Sequence, residues 1–124
     1  MILGLGIDTV TISNVERFLQ NPAYATDIFT ENENRKAEEY GDVIDYLSAR
    51  FAGKQALKKC LAPFLGEFVF DYKMVEIQKH ENGTQSVKVL DDDLAALIKK
   101  AGIKEIVIST TTEGDSATAI AIAQ

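Results

Sequence analysis

The sequence predicts an α+β fold in one domain, and three features of the chain support this. Apolar runs typical of strands lie near both ends, helix patterns fill most of the first half, and an Asn-Gly turn at 82–83 separates two strand patterns. Strand and helix patterns are grouped more than they alternate, which favours α+β over a doubly wound α/β arrangement. No repeat, low-complexity tract or linker divides residues 1–124, so we expect a single domain.

The first strand is predicted over residues 2–10. This apolar run has no basic leader and contains Asp8, so we interpret it as a strand rather than a signal peptide. Ser13 and Glu16 then fit a capping box, in which a serine side chain caps the helix and a glutamate three residues later reaches back. The pattern predicts a short helix that starts at Ser13.

Caps and helix breakers define the remaining elements. Thr30 and Glu33 fit a second capping box at the start of a polar helix. The longest helix is predicted over 42–61, and Pro63 and Gly66 are expected to end it. The later elements are a strand over 68–79, a strand over 86–90, a helix over 91–101, and two strands over 103–109 and 117–123, joined by a polar loop over 110–116.

Composition excludes several classes of partner. The chain has a net charge of −6 and a pI of about 4.7, whereas binding to nucleic acid or to anionic membrane depends on clustered lysine and arginine. No apolar run approaches the roughly 20 residues of a membrane span. Cys60 is the single cysteine, so no internal disulfide is possible, and we expect a reducing, cytoplasmic location.

The opening strand carries two candidate features. The run Gly4-Leu5-Gly6 is similar to part of a dinucleotide-binding loop, but it lacks the third glycine and opens no helix. We interpret these glycines as positions of close backbone packing. Asp8 stands near the end of the strand, where a carboxylate is costly to bury without a partner, so it either caps the next turn or binds a cation.

The long helix carries two lines of residues at four-residue spacing. Arg50, Lys54 and Lys58 form a cationic stripe that suits a chain of phosphates, although such stripes are also common on solvated faces. Gln55 follows Phe51 on the line that should face the core. It is therefore either a hydrogen-bonded core amide or a polar group of a site.

Three motifs together resemble the holo-acyl-carrier-protein synthase family. They are ILGLGID at 2–8, IFTENE at 28–33 and LSARFAGKQA at 47–56. Their spacing also fits, and the resemblance covers nearly the whole chain. It implies the 4′-phosphopantetheinyl transferase-like fold, with an antiparallel sheet packed on a long helix, and a trimer with sites between neighbouring subunits.

The resemblance also implies an activity and a set of site residues. Enzymes of this family transfer phosphopantetheine from coenzyme A to a serine of an acyl carrier protein, with a magnesium ion bound by the strand aspartate and a helix glutamate. By this resemblance, Asp8 and Gln55 are expected to hold the metal and to act in catalysis, together with Lys59. The cationic helix residues Arg50, Lys54 and Lys59 are expected to bind coenzyme A.

The chain departs from the family pattern at the site itself. Gln55 stands where the family has its metal-binding glutamate, so one negative charge is lost beside a hard cation. At an effective dielectric constant of about 20, the gross attraction of each pair of unit charges about 4 Å apart is about 4 kcal/mol. The family's glycine-rich turn is replaced by Ala62-Pro63-Phe64, and its Gly-Lys-Pro sequence is replaced by Gly83-Thr84-Gln85. The histidine that the family has after Ser109-Thr110 is missing. Asn14 and Asp27 stand at the positions of arginines that bind the carrier protein.

Two functional hypotheses therefore remain. The first is a magnesium-dependent transferase, and the second is a catalytically lapsed homologue that binds coenzyme A or serves as a structural subunit. The transferase requires Asp8 and Gln55 to lie side by side at a cavity rather than in a dry core.

Overall fold

A computed structural model describes the whole chain, residues 1–124, and has the predicted α+β architecture. The elements in chain order are β1 (Gly4–Thr11), α1 (Ile12–Phe18), α2 (Pro22–Ile28), α3 (Glu31–Tyr40), α4 (Val43–Leu65), a 3-10 turn (Tyr72–Met74), β2 (Val75–Lys79), β3 (Gln85–Val89), α5 (Asp92–Lys100), β4 (Ile106–Glu113) and β5 (Ser116–Ala123). None of the five helices combines the length and apolar character that a bilayer-spanning segment requires.

The long helix α4 packs on an antiparallel sheet, as predicted. Strands β1, β5 and β4 form this sheet in that spatial order, while β2 and β3 form a separate hairpin. The inward side chains of β5 are alanines, and all of them are buried: Ala117, Ala119, Ala121 and Ala123. Because these side chains are small, α4 can approach the sheet closely over its whole length.

The closest approach of sheet and helix is at the glycines of β1. A Cβ atom at Gly6 would lie 1.9 Å from the carbonyl oxygen of Ala56 and 2.7 Å from the amide nitrogen of Cys60. One at Gly4 would lie 2.5 Å from the carbonyl oxygen of Cys60. The interpretation of these glycines as packing positions is thus confirmed. Since alternate residues of a strand share a face, Asp8 also projects toward α4.

Helix α4 continues two residues beyond Pro63, so the prediction that Pro63 ends it is wrong. Proline removes only its own N–H, and in the last turn this costs one helical hydrogen bond. Leu65 is buried in the main core and Phe64 packs against that core, which stabilises the final turn. The helix ends at Gly66, which has a positive φ of 57°.

The predicted cap of α1 is also wrong. The helix begins at Ile12, one residue before Ser13, and Thr11 at its N-cap makes no side-chain hydrogen bond. Ser13 instead donates from its backbone N–H (3.0 Å) and its hydroxyl (2.6 Å) to the carboxylate of Asp115 in the β4–β5 turn. This contact connects the start of α1 to the β4–β5 turn.

Helix α2 has no counterpart in the sequence prediction. Asn21 caps it by accepting a hydrogen bond from the Ala23 N–H, and Pro22 occupies its first position. None of its residues is buried, so it lacks the apolar period that would have revealed it.

Two predicted strand boundaries change. The strand expected over 68–79 begins only at Val75, because Asp71 caps the 3-10 turn that precedes it. Strand β4 extends to Glu113, so most of the expected loop is strand and the turn is confined to Gly114 and Asp115. Two other local predictions are confirmed: the Thr30–Glu33 capping box and the Asn82-Gly83 turn between β2 and β3.

Candidate functional site

The carboxylate of Asp8 and the ammonium of Lys59 form the centre of the candidate site. Lys59 Nζ lies 2.6 Å from Asp8 Oδ1 and 3.2 Å from the backbone carbonyl oxygen of Ile7. The Asp8 side chain is 14% exposed and that of Lys59 is 56% exposed. The pair therefore lies at the surface, with the ammonium accessible to a ligand and the carboxylate holding it in place.

Gln55 shares the helix face of Lys59, one turn before it. Residues four apart on a helix have neighbouring side chains, so the amide lies on the same face that Asp8 approaches. Gln55 is half-buried and its amide makes no hydrogen bond within the chain. Neither side chain is fully buried, and Asp8 pairs with Lys59 rather than with the amide.

Tyr72 is a neighbour of this site that the sequence analysis missed. Burial raises the pKa of its hydroxyl, and the nearby Asp8 carboxylate adds to the increase, so the group stays protonated. Its ring packs edge-on against Phe51 and lies 5.7 Å from Lys58 Nζ. Because Tyr72 reaches the site through these tertiary contacts, no sequence motif indicates it.

Lys54 does not belong to an exposed stripe, which corrects the expectation that it contacts coenzyme A. Its side chain is fully buried, and Nζ lies 2.6 Å from Glu33 Oε1. The same nitrogen donates to the backbone carbonyl oxygens of Ile28, Tyr72 and Val75 at 2.8–3.0 Å. Burial lowers the pKa of the Lys54 ammonium, and the Glu33 carboxylate opposes this effect. All of its donors are committed within the fold.

The carboxylates of Glu33 and Glu76, which lie in the same buried network as Lys54, also accept hydrogen bonds from within the fold. Glu33 accepts hydrogen bonds from the N–H groups of Thr30 and Ile77, both at 3.0 Å. Burial raises the pKa of Glu76, but hydrogen bonds from Thr30, Asn32 and Gln78 outweigh it and leave the pKa below its usual value. These contacts join α3, α4 and β2, so the network is structural.

Arg50 lies away from the Asp8–Lys59 pair and lines a cleft of its own. It is 2% exposed, its guanidinium carbon lies 4.3 Å from the centre of the Tyr46 ring, and it donates to the Tyr46 hydroxyl at 3.2 Å. Its Nε–H has no hydrogen-bond partner. The residue lines a cleft of about 140 Å³ together with Lys79, Gln85 and Thr110. The charged residues that line it, Arg50, Lys79 and Asp45, sum to +1, so this cleft suits an anion.

The residues around Asp8 do not fit a magnesium ion. No three aspartate, glutamate, histidine or cysteine side chains are grouped anywhere in the chain. Asp8 is already neutralised by Lys59, and Gln55 offers only a neutral amide oxygen. Magnesium ordinarily relies on one or two unpaired carboxylates beside substrate phosphates. The assignment of Asp8 and Gln55 as metal ligands is therefore not supported by this donor set.

Comparison with known proteins identifies the relatives of this chain. Residues 4–121 match the model of a family described as the 4′-phosphopantetheinyl transferase superfamily. A holo-[acyl-carrier-protein] synthase of Alkaliphilus metalliredigens is 33% identical over 124 residues, which is 99% of each chain.

Solved structures share the fold over the full length. A holo-[acyl-carrier-protein] synthase from Neisseria meningitidis superposes with a TM-score of 0.87 at 25% identity, covering 100% of this chain and 99% of its own. One from Helicobacter pylori, solved in complex with coenzyme A, has a TM-score of 0.78 at 16% identity over 97% and 99% of the two chains. At that identity the second likeness shows the fold alone.

The buried pair predicts a large stability effect at Glu33. In Glu33→Gln the Lys54 ammonium loses its only carboxylate contact while buried, so the free energy of unfolding should fall by about 3–5 kcal/mol. The control Lys36→Ala removes an exposed ion pair with Glu39 and should change the free energy of unfolding by less than about 1 kcal/mol. Urea unfolding followed by circular dichroism measures both. Equal stabilities of the two variants would contradict the structural role of Lys54.

Proposed function

Because the chain belongs to the 4′-phosphopantetheinyl transferase superfamily, we propose that it transfers 4′-phosphopantetheine from coenzyme A to a serine of an acyl carrier protein. The observation that carries this proposal is the Asp8–Lys59 pair, which lies on the open face of α4 in a chain that resembles holo-synthases over its full length. Both residues stand at the positions that the family resemblance assigned to the site.

Lys59 supplies the positive charge of the proposed site. Its exposed ammonium donates to the pyrophosphate oxygens of coenzyme A, while Asp8 and the carbonyl oxygen of Ile7 fix its position. A cation held in place before the reaction stabilises the charge that develops during phosphoryl transfer without further reorganisation. The amide of Gln55, one turn away, is free to hydrogen-bond the same phosphates.

The reaction exchanges one phosphorus–oxygen bond for another. The serine oxygen of the carrier bonds to the phosphorus that bears pantetheine, and the bond from that phosphorus to the bridging oxygen breaks. Adenosine 3′,5′-bisphosphate leaves with the electron pair of the broken bond, and the serine proton passes to solvent. Lys59 compensates the charge on the leaving pyrophosphate oxygen.

Arg50 is proposed to bind another anionic group of coenzyme A in its own cleft. Arg50 and Lys59 are nine residues apart on α4, or about two and a half turns, so they point to opposite faces and lie about 13 Å apart along the axis. One chain therefore does not direct both cations at one ligand. A site shared by two subunits, with Lys59 from one and Arg50 from its neighbour, brings them together.

An apolar sheet face supports such an assembly. On the side of the sheet away from α4, Leu5 and Ile7 are 56% exposed and Val107 is 40% exposed. The strand register places Ile120 and Ile122 between them. An antiparallel sheet that faces water normally carries polar side chains there. We propose that copies of this chain cover the face in a homotrimer, as the family resemblance implies.

The carrier protein is proposed to be less acidic than a usual acyl carrier. This chain has a net charge of −6, so an acidic partner meets long-range repulsion and associates slowly. Asn14 and Asp27, which stand at the expected positions of carrier-binding arginines, are both exposed and offer no positive charge. Transfer assays therefore need carriers of differing charge.

A second candidate function is a catalytically lapsed subunit that binds coenzyme A. The loss of a carboxylate at Gln55 favours it, because the amide cannot act as a general base. In this second candidate function the Arg50 cleft still binds coenzyme A, but no phosphopantetheine is transferred to a carrier protein.

The proposal predicts transfer of labelled pantetheine from coenzyme A to a carrier serine, measured by mass spectrometry. Lys59→Met should lower the rate at least about 100-fold, the usual effect of removing one preorganised donor. The control Lys100→Met alters an exposed residue of α5 and should leave the rate unchanged. Absence of transfer to several carriers, including non-acidic ones, would reject the transferase and favour the lapsed subunit.

The assembly proposal predicts a sedimenting species of about three times the chain mass of 13.6 kDa. Leu5→Asp places a charge on the apolar sheet face and should dissociate this species. Val69→Asp is the matched control, because Val69 is 80% exposed outside the sheet. A wild-type monomer, or a Leu5→Asp variant that sediments unchanged, would contradict the proposal.

A further inference from the structure

The charges around Asp8 balance without an added cation. Asp8 contributes one negative charge, Lys59 contributes one positive charge at 2.6 Å, and Gln55 contributes none. Tyr72 stays neutral, since its pKa is raised by burial and by Asp8. No other acidic side chain contacts the pair.

Lys58 adds a further positive charge at the same edge of α4. It is exposed, and its Nζ lies 5.7 Å from the centre of the Tyr72 ring, next to the pair. The local charge of Lys58, Lys59 and Asp8 is therefore +1. A diphosphate is attracted to such a site directly, whereas a divalent cation is not.

We infer that this protein binds the pyrophosphate of coenzyme A without a divalent metal ion, and that Lys59 supplies the charge a metal would otherwise supply. This inference rests on the proposed function, since coenzyme A is the ligand in both. The residue at position 55 decides the metal requirement. A carboxylate there would bring the combined charge of Asp8, Lys58, Lys59 and residue 55 from +1 to zero, and it would place a second carboxylate beside Asp8, the kind of donor set that magnesium uses.

Isothermal titration tests this inference through binding rather than activity. Coenzyme A is titrated into the full chain in EDTA and in millimolar Mg²⁺, and Mg²⁺ alone is titrated in a parallel experiment. For the wild type, the two coenzyme A affinities should agree within about twofold, and Mg²⁺ alone should give no binding isotherm. In EDTA, Lys59→Met should weaken the affinity about tenfold or more, and Lys100→Met should not.

Gln55→Glu is the matched variant, because it restores the charge with one atom changed. It should bind Mg²⁺ alone and should bind coenzyme A at least about tenfold more tightly with Mg²⁺ than with EDTA. A wild-type protein that needs Mg²⁺ for coenzyme A binding would overturn the inference, and so would a Gln55→Glu variant that is indifferent to the metal.

The outcomes separate this inference from the proposed function. Metal-independent binding of coenzyme A without transfer to any carrier supports the inference and rejects the transferase. Binding of coenzyme A that requires the metal, together with transfer to a carrier, rejects the inference and supports the transferase. Failure to bind coenzyme A under either condition rejects both.

Discussion

The backbone contact between β1 and α4 determines where the Asp8–Lys59 pair lies. Gly6 allows the strand to rest directly on the helix backbone, at a distance where any side chain would overlap the carbonyl oxygen of Ala56. With strand and helix this close, the next inward residue, Asp8, meets Lys59 on α4. The candidate site is thus a consequence of the packing between β1 and α4.

Helix α4 carries cations with opposite roles, and helical spacing alone does not separate them. Lys54 is buried and neutralised by Glu33, whereas Lys59 is open to solvent and positioned by Asp8. Arg50 is buried like Lys54, but it has no acidic partner and lines a cleft. One helix therefore contributes a buried structural ion pair, a cation beside a cleft and a cation at the surface, and Arg50 and Lys59 point to opposite faces of it.

Local signals in the sequence predicted much of the fold but only part of the site. The Thr30 capping box and the glycine packing in β1 depend on near neighbours or on a simple steric rule, and both are confirmed. The Ser13 cap failed because Asp115, 102 residues away, competes for its hydroxyl. The burial of Lys54 was missed for the same reason, since α3 and β2 supply its partners. Long-range polar contacts leave no local pattern.

The placement of Asp8 beside Lys59 depends most directly on the steric demand at Gly6. Gly6→Ala would force a Cβ into the backbone of α4, and the free energy of unfolding should fall by about 3 kcal/mol or more. Thr11→Ala, an exposed position of the same strand, should change it by less than about 1 kcal/mol. Denaturant unfolding of both variants makes the comparison. A Gly6→Ala protein as stable as the wild type would show that β1 does not rest on α4, and the placement of Asp8 beside Lys59 would lose its basis.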